Sequence, residues 1–122
     1  MILVDTSIWI DHLRKGNEIL ASLLINSQVV MHPFVIGELA CGNLKNRKSL
    51  LRLLQNLPET RVTSQDETLF FIERQALMGT GIGYIDVHLL AATALDGGTR
   101  LWTRDKRLHA VARELNLAWL TT

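Results

Sequence analysis

Four acidic side chains lie beside or within apolar stretches of this chain, where an ionised carboxylate is costly to place. They are Asp5 after MILV, Glu38 within FVIGELAC, Asp86 within GYIDVHLLAA and Asp105 after RLWTR. Carboxylates that share one place repel each other unless a proton or a cation neutralises them. Because the set offers oxygen ligands and no His or Cys pattern, it favours Mg²⁺ or Mn²⁺ over zinc. Such an ion activates water for attack on a phosphate, so the four acids predict phosphodiester chemistry.

Each acid also has a purely structural interpretation. Asp5 and Asp105 could cap the helices that follow them, Asp86 could favour the positive end of a helix dipole, and Glu38 could be a surface position. Taken singly, these interpretations explain each residue at least as well as a functional role does. Taken together, the residues favour a shared site, because Asp5 and Asp105 follow predicted parallel strands, and open α/β sheets bind ligands at the carboxyl ends of strands. Glu38 and Asp86 lie near the beginnings of predicted helices, which would start from the same rim.

The elements that must position these acids alternate between short apolar strands and amphipathic helices. The predicted strands are Met1–Val4, Gln28–Met31, Arg61–Thr63, Arg100–Thr103 and Leu117–Leu120. The predicted helices are Thr6–Leu13, Glu18–Asn26, one beginning at Pro33, Arg47–Leu57, Ser64–Met78, one from Tyr84 to the Gly97-Gly98 pair, and Lys106–Leu115. This alternation predicts an α/β fold with a short parallel sheet flanked by helices on both faces. We expect residues 1–122 to form one domain.

Three local signals refine these boundaries. Ser64 and Glu67 have the spacing of a capping box, and the Gly97-Gly98 pair is typical of a helix C-cap and turn. The GTGIG segment (79–83) has no Lys-Ser or Lys-Thr after it and follows a helix rather than a strand. It therefore does not fit a phosphate-binding loop, and we interpret it as a hinge.

Composition restricts the class of protein. The chain has 48% hydrophobic and 20% charged residues with a net charge of +1, which is typical of a soluble globular protein. Its single cysteine, Cys41, cannot form an internal disulfide, and this suits a reducing cytoplasm. The apolar N-terminus has no basic n-region and is interrupted by Asp5, so we expect no signal peptide, and no window reaches the ~18 apolar residues of a membrane helix. We expect a cytoplasmic protein that makes no membrane contact.

Basic residues gather near the fourth acid. They are Arg100, Arg104, Lys106, Arg107 and Arg113, and a second group comprises Lys45, Arg47, Lys48 and Arg52. Because Arg104 and Lys106 flank Asp105, the first group is the better placed to hold an RNA backbone. The second group fits a solvated helix face equally well. The four histidines are interpreted as structural or exposed.

The segments VDTSIWIDHLR, HPFVIGELACG, GIGYIDVHLLAATAL and LWTRDKRL resemble the four acidic motifs of the PIN-domain ribonucleases. Within that family they resemble the VapC-type toxins of bacterial and archaeal toxin–antitoxin pairs. The resemblance implies that the catalytic and metal-binding residues are Asp5, Glu38, Asp86 and Asp105, with supporting hydroxyls on Thr6, Ser7 and Thr103. It further implies Mg²⁺- or Mn²⁺-dependent endoribonuclease activity, homodimerisation and inhibition by a cognate antitoxin. Residues 43–80 match only in general character.

The resulting hypothesis is a toxin that cleaves single-stranded or loop RNA by metal-activated water, with RNA held by Arg100, Arg104, Lys106 and Arg107. An alternative keeps the fold but not the chemistry: a catalytically inactive PIN-like module that binds RNA. A phosphoacceptor domain of the receiver type is excluded, because Asp5 has no acidic neighbour and Leu50–Pro58 offers neither a strand nor an Asp.

Overall fold

The computed structural model describes residues 1–120. Its parallel sheet is centred on the first strand, β1 (Ile2–Val4). This strand lies between β2 (Val29–Val30) and β3 (Arg100–Trp102). All three residues of β1 are buried. Because successive strand residues point to opposite faces, both faces of the sheet must be covered.

Seven helices within residues 1–120 supply that cover. They are α1 (Thr6–Lys15), α2 (Glu18–Ile25), α3 (Pro33–Ala40), α4 (Arg47–Gln55), α5 (Gln65–Gln75), α6 (Tyr84–Leu95) and α7 (Lys106–Glu114). The α/β class with a short parallel sheet is confirmed. Thr121 and Thr122, which the predicted domain includes, lie outside the described residues.

Local chemistry explains where several helices begin. Pro33 occupies the first turn of α3, where its missing N–H costs nothing. The predicted capping box of α5 is confirmed: the Ser64 N–H donates to Glu67 Oε1 at 2.9 Å, and the Glu67 N–H donates to Ser64 Oγ at 3.1 Å. The apolar helix α6 buries seven consecutive residues, 87–93, and so forms a central layer against the sheet.

Two predicted strands do not form. Within residues 1–120, residues 61–63 form no bridge and residues 117–120 contribute a single one, Leu101↔Ala118. The bridge Met31↔Glu59 lies just before the first of these segments. Near the first, the chain pairs with Met31 through Pro58 and Thr60 and then turns away, so Thr63 can bond to Thr68 at 2.7 Å. The C-cap of α6 also differs from the prediction, since it is Asp96 and the two glycines form the following turn. No helix within residues 1–120 has the length and apolar character needed to cross a membrane.

Candidate active site

Asp5 is buried at the carboxyl end of β1 and is held by three hydrogen bonds. Its Oδ1 accepts the Thr6 N–H at 2.8 Å. Its Oδ2 accepts the Ser7 hydroxyl at 3.0 Å and the Thr103 hydroxyl at 2.7 Å. Donors of this kind stabilise the ionised carboxylate, which explains how an acid can be tolerated at the end of a buried strand.

The hydroxyls of Ser7 and Thr103 connect the β1–α1 junction to the β3–α7 connection. Thr103 Oγ1 accepts the Asp105 N–H at 3.0 Å while it donates to Asp5. Ser7 Oγ accepts the Arg104 N–H at 3.1 Å while it donates to the same carboxylate. The first and fourth acids are therefore oriented by one hydrogen-bond network.

Asp105 caps α7 and still retains a free oxygen. Its Oδ1 accepts the Leu108 N–H at 2.9 Å, and Oδ2 has no hydrogen-bond partner within residues 1–120. Asp5 likewise caps α1 through Thr6. The structural interpretation of both acids is correct, but a cap uses only part of a carboxylate and does not exclude a second role.

Glu38 reaches the site from further along its helix than the sequence suggested. It is the sixth of the eight residues of α3, because that helix begins at Pro33. The helix packs against α1, and this contact lets the Thr6 hydroxyl donate to Glu38 Oε1 at 2.6 Å. Thr6 is therefore the hydroxyl that orients the second acid.

Asp86 lies half-buried in the first turn of α6, where its Oδ2 accepts the Gly83 N–H at 3.4 Å. Burial first, and then the negative charges of Asp5, Asp105 and Glu38, raise the pKa of Asp86 to about 6. The Gly83 hydrogen bond opposes this shift. The pKa of Asp86 therefore depends on the charges of the other three acids, although the four acids belong to different parts of the fold.

The donor set fits a hard divalent cation in chemistry and charge. Glu38, Asp86 and Asp105 each have one carboxylate oxygen without a hydrogen-bond partner in the described part of the chain. Within residues 1–120 no three His, Cys, Asp or Glu side chains are grouped closely enough to hold an ion together. An ion at this place would therefore be held directly by at most two of these carboxylates, with water completing its coordination, an arrangement that Mg²⁺ often adopts.

The four predicted RNA-binding residues occupy different places. Arg104 forms an ion pair with Asp11 of α1, Lys106 is the exposed first residue of α7, and the Arg107 side chain lies against Gly81. Arg100 begins β3, at the opposite end of that strand from Asp105, and donates to the Thr99 carbonyl at 2.9 Å.

The pairing of Asp11 with Arg104 escaped the sequence analysis. A usable signal was present, because Asp11 lies four residues after Ser7 and therefore on the same face of α1. Ser7 holds the backbone N–H of Arg104 and Asp11 holds its guanidinium. Both contacts clamp the β3–α7 connection onto α1.

The buried histidines are structural. His32 caps α3 by accepting the Phe34 N–H on Nδ1 at 2.9 Å. Burial, assisted by His88, lowers the pKa of His32 to about 4. His88 packs edge-on against Phe34 and Tyr84, with ring centroids 4.7 Å away in each case. These rings support the first turn of α6, on which Asp86 lies.

Comparison with known proteins gives consistent results. The PIN domain family model matches residues 2–114. Ribonuclease VapC32 of Mycobacterium tuberculosis, from strains CDC 1551 / Oshkosh and ATCC 25618 / H37Rv, is 49% identical over 118 residues, which are 97% of this chain and 95% of the relative. Among solved structures, FitAB bound to the IR36 DNA fragment has a TM-score of 0.64 at 18% identity, covering 100% of this chain and 99% of that one. FitAcB from Neisseria gonorrhoeae has a TM-score of 0.65 at 20% identity, covering 99% of this chain and 97% of that one. These two structures share its fold.

Proposed function

This chain belongs to the PIN-domain family, as a relative of the VapC ribonucleases, and from that premise we propose that it is an endoribonuclease acting as the toxin of a toxin–antitoxin pair. The observation that carries the proposal is the hydrogen-bond network in which Thr103 and Ser7 join Asp5 to the Asp105 segment and Thr6 joins the same junction to Glu38. Burial and the charges of these acids raise the pKa of Asp86 beside them, and a carboxyl whose ionisation is opposed in this way gains from a bound cation. RNA phosphodiesters are the substrate this donor set suits.

In this proposal free oxygens of at most two of Glu38, Asp86 and Asp105 would hold Mg²⁺ or Mn²⁺ directly. The remaining acids, including Asp5, would add negative charge and act on the ion through water. The ion supplies water activation and charge neutralisation at the phosphate. Thr103 and Ser7 fix the orientation of Asp5 through its Oδ2, and Thr6 fixes that of Glu38 through its Oε1. Without a cation, Asp86 holds a proton to a higher pH than an ordinary carboxyl, since its pKa is about 6.

Lys106 and Arg107 follow Asp105 directly on α7, so in this proposal they hold the phosphates on either side of the cleaved bond. Arg104 adds positive charge but is already engaged by Asp11. Contacts of this kind bind the backbone without reading bases. Single-stranded or loop RNA fits best, because its backbone can bend toward a recessed carboxylate site.

A groove of about 770 Å³ between α1, α3 and α4 supports the proposed antitoxin partner. Its wall is largely apolar, with Ile10, Leu39 and Leu53, and it includes Glu38 of the acidic site. An extended or helical antitoxin segment could bury its apolar face there and place a basic side chain on the carboxylates. Homodimerisation is proposed on the family relationship alone.

The test is RNA cleavage by purified protein with Mg²⁺, with Mn²⁺ and with excess EDTA. We expect cleavage with either ion and none with EDTA. Asp86→Asn should reduce the rate at least ~100-fold, whereas Glu73→Gln, which replaces an exposed carboxylate on α5, should not. Undiminished cleavage in EDTA would remove the metal from the mechanism. RNA binding without cleavage under all conditions would favour the inactive module.

A further inference from the structure

The loop between α5 and α6 contains two glycines in the left-handed region, Gly79 with φ +76° and Gly81 with φ +86°. They differ in their surroundings. A Cβ atom placed on Gly81 would lie 3.0 Å from Arg107 Nη1 and 3.1 Å from Arg107 Cδ. A Cβ atom placed on Gly79 would meet nothing within 4 Å. Gly81 is therefore the point at which the loop and α7 touch.

The contact involves the side chain of Arg107 from Cδ to Nη1 and not the guanidinium alone. A Cβ atom on Gly81 would press on both Cδ and Nη1, so the side chain as a whole would have to shift by a few tenths of an ångström. Within residues 1–120 Arg107 takes part in no ion pair, in contrast to Arg104 with Asp11. Its positive charge is held by packing on a loop that leads, through Gly83, into the helix that carries Asp86.

We propose that Gly81 is a positioning residue for RNA binding: its lack of a side chain lets Arg107 lie across the loop that leads to Asp86, so that a guanidinium two residues after Asp105 is held in place for an RNA phosphate. The two arginines of this region then have separate tasks. Arg104 fixes the β3–α7 connection to α1, and Arg107 binds the substrate backbone. The inference rests on the proposed ribonuclease function.

The experiment compares Gly81→Ala with Gly79→Ala, since both introduce a Cβ at a positive φ but only the first displaces Arg107. A short single-stranded RNA and Mg²⁺ are used throughout. Relative to Gly79→Ala, we expect Gly81→Ala to raise KM by about 3–10-fold with kcat within about 2-fold, as expected for the loss of one backbone contact. The slope of log Kd against log salt concentration should fall by about 0.7, the contribution of one phosphate on a single strand.

A double-mutant cycle identifies the cause. In an Arg107→Ala background, Gly81→Ala should have no more effect on KM or salt slope than Gly79→Ala, because the displaced group is gone. If the alanine variants fold poorly, Gly81→Asn and Gly79→Asn repeat the comparison, since Asn tolerates a positive φ better.

The outcomes separate the two levels of the hypothesis. If wild-type protein binds and cleaves RNA but Gly81→Ala matches Gly79→Ala, the positioning role is wrong and the ribonuclease function stands. The same conclusion follows if Gly81→Ala weakens binding equally with and without Arg107. If wild-type protein neither binds nor cleaves RNA, the proposed function fails, and the role of Gly81 fails with it.

Discussion

Asp5 illustrates how one residue can satisfy a structural and a chemical requirement together. It caps α1 through the Thr6 N–H and accepts two hydroxyl donors on its other oxygen. The residue type predicted the cap. The presence of three further acids beside or within apolar stretches predicted the site. The ion pair of Asp11 with Arg104 was not predicted, because an Asp on an amphipathic helix looks like an ordinary exposed residue until its partner is known.

Thr103 should be needed for activity beyond its effect on stability. Thr103→Val keeps the shape but removes a donor to Asp5 and leaves the Asp105 N–H without its acceptor. We expect a loss of about 10–100-fold in RNA cleavage, as for other groups that orient metal ligands. The free energy of unfolding should fall by about 1–2 kcal/mol in denaturant titration.

Thr93→Val is the matched control for Thr103→Val. Thr93 is also buried, but its hydroxyl donates only to the Leu89 carbonyl within α6. Cleavage should stay close to that of wild-type protein. Equal activity losses in the two threonine variants would mean that Thr103 acts only through general stability.

At the scale of elements, local chemistry predicted the helices well and the strands less well. Caps and breakers such as Ser64, Pro33 and Gly16 act within a few residues, so most helix beginnings followed from the sequence. The ends followed less well, since α5 stops at Gln75 rather than Met78 and the C-cap of α6 is Asp96. A strand needs a partner that is distant in the chain, and β1 offers its two edges to β2 and β3. The segments at 61–63 and 117–120 have the composition of strands but find at most one paired residue.

The carboxyl end of α5 carries removable strain. Its C-cap, Ala76, has φ +53°, a conformation that disfavours a side chain. Ala76→Gly should raise the free energy of unfolding by about 0.5–1 kcal/mol. The substitution relieves the strain of the left-handed conformation, and the greater freedom of glycine in the unfolded chain offsets part of that gain. Ala110→Gly, at an exposed position inside α7, should lower it by about 0.5–1 kcal/mol in the same denaturant titration. A lower stability for both variants would contradict this account of the cap.

At the scale of the whole molecule, two buried groups give opposite pH dependences. The pKa of Asp86 is raised to about 6, so its stabilising contribution is present below pH ~4 and is lost as the pH rises through about 6. The pKa of His32 is lowered to about 4, so its contribution is present above pH ~6.5 and is lost as the pH falls through about 4. Wild-type stability should therefore change little across this interval.

Removing the Asp86 carboxyl should reveal the pH dependence of stability that is due to His32. In EDTA, the free energy of unfolding of Asp86→Asn should no longer fall with the deprotonation of Asp86. It should instead rise steadily from pH 4 to pH 6.5, because His32 loses its proton over that range. Denaturant titrations of wild type and variant at several pH values measure this difference. A pH-independent difference between the two proteins would show that Asp86 does not titrate in this range.

The central claim, that the four acids form one negatively charged site that a cation stabilises, can be tested without RNA. The measurement is a set of melting curves for wild type and Asp86→Asn at pH 7, each in EDTA and in saturating Mg²⁺, with Glu73→Gln as the control. In EDTA the pKa shift of Asp86 corresponds to about 1–1.5 kcal/mol once solvent screening of a half-exposed group is allowed for. Removing the charge should therefore raise the Tm by about 3–6 °C.

Saturating Mg²⁺ should reverse that order, because a ligand stabilises only the protein that binds it, by about 2.7 kcal/mol at 100 times its Kd. Wild type and Glu73→Gln should both gain in Tm with Mg²⁺, and Asp86→Asn should gain little. The account predicts this crossing of the two melting temperatures. An Asp86→Asn variant that melts below wild type in EDTA and gains as much from Mg²⁺ would contradict it.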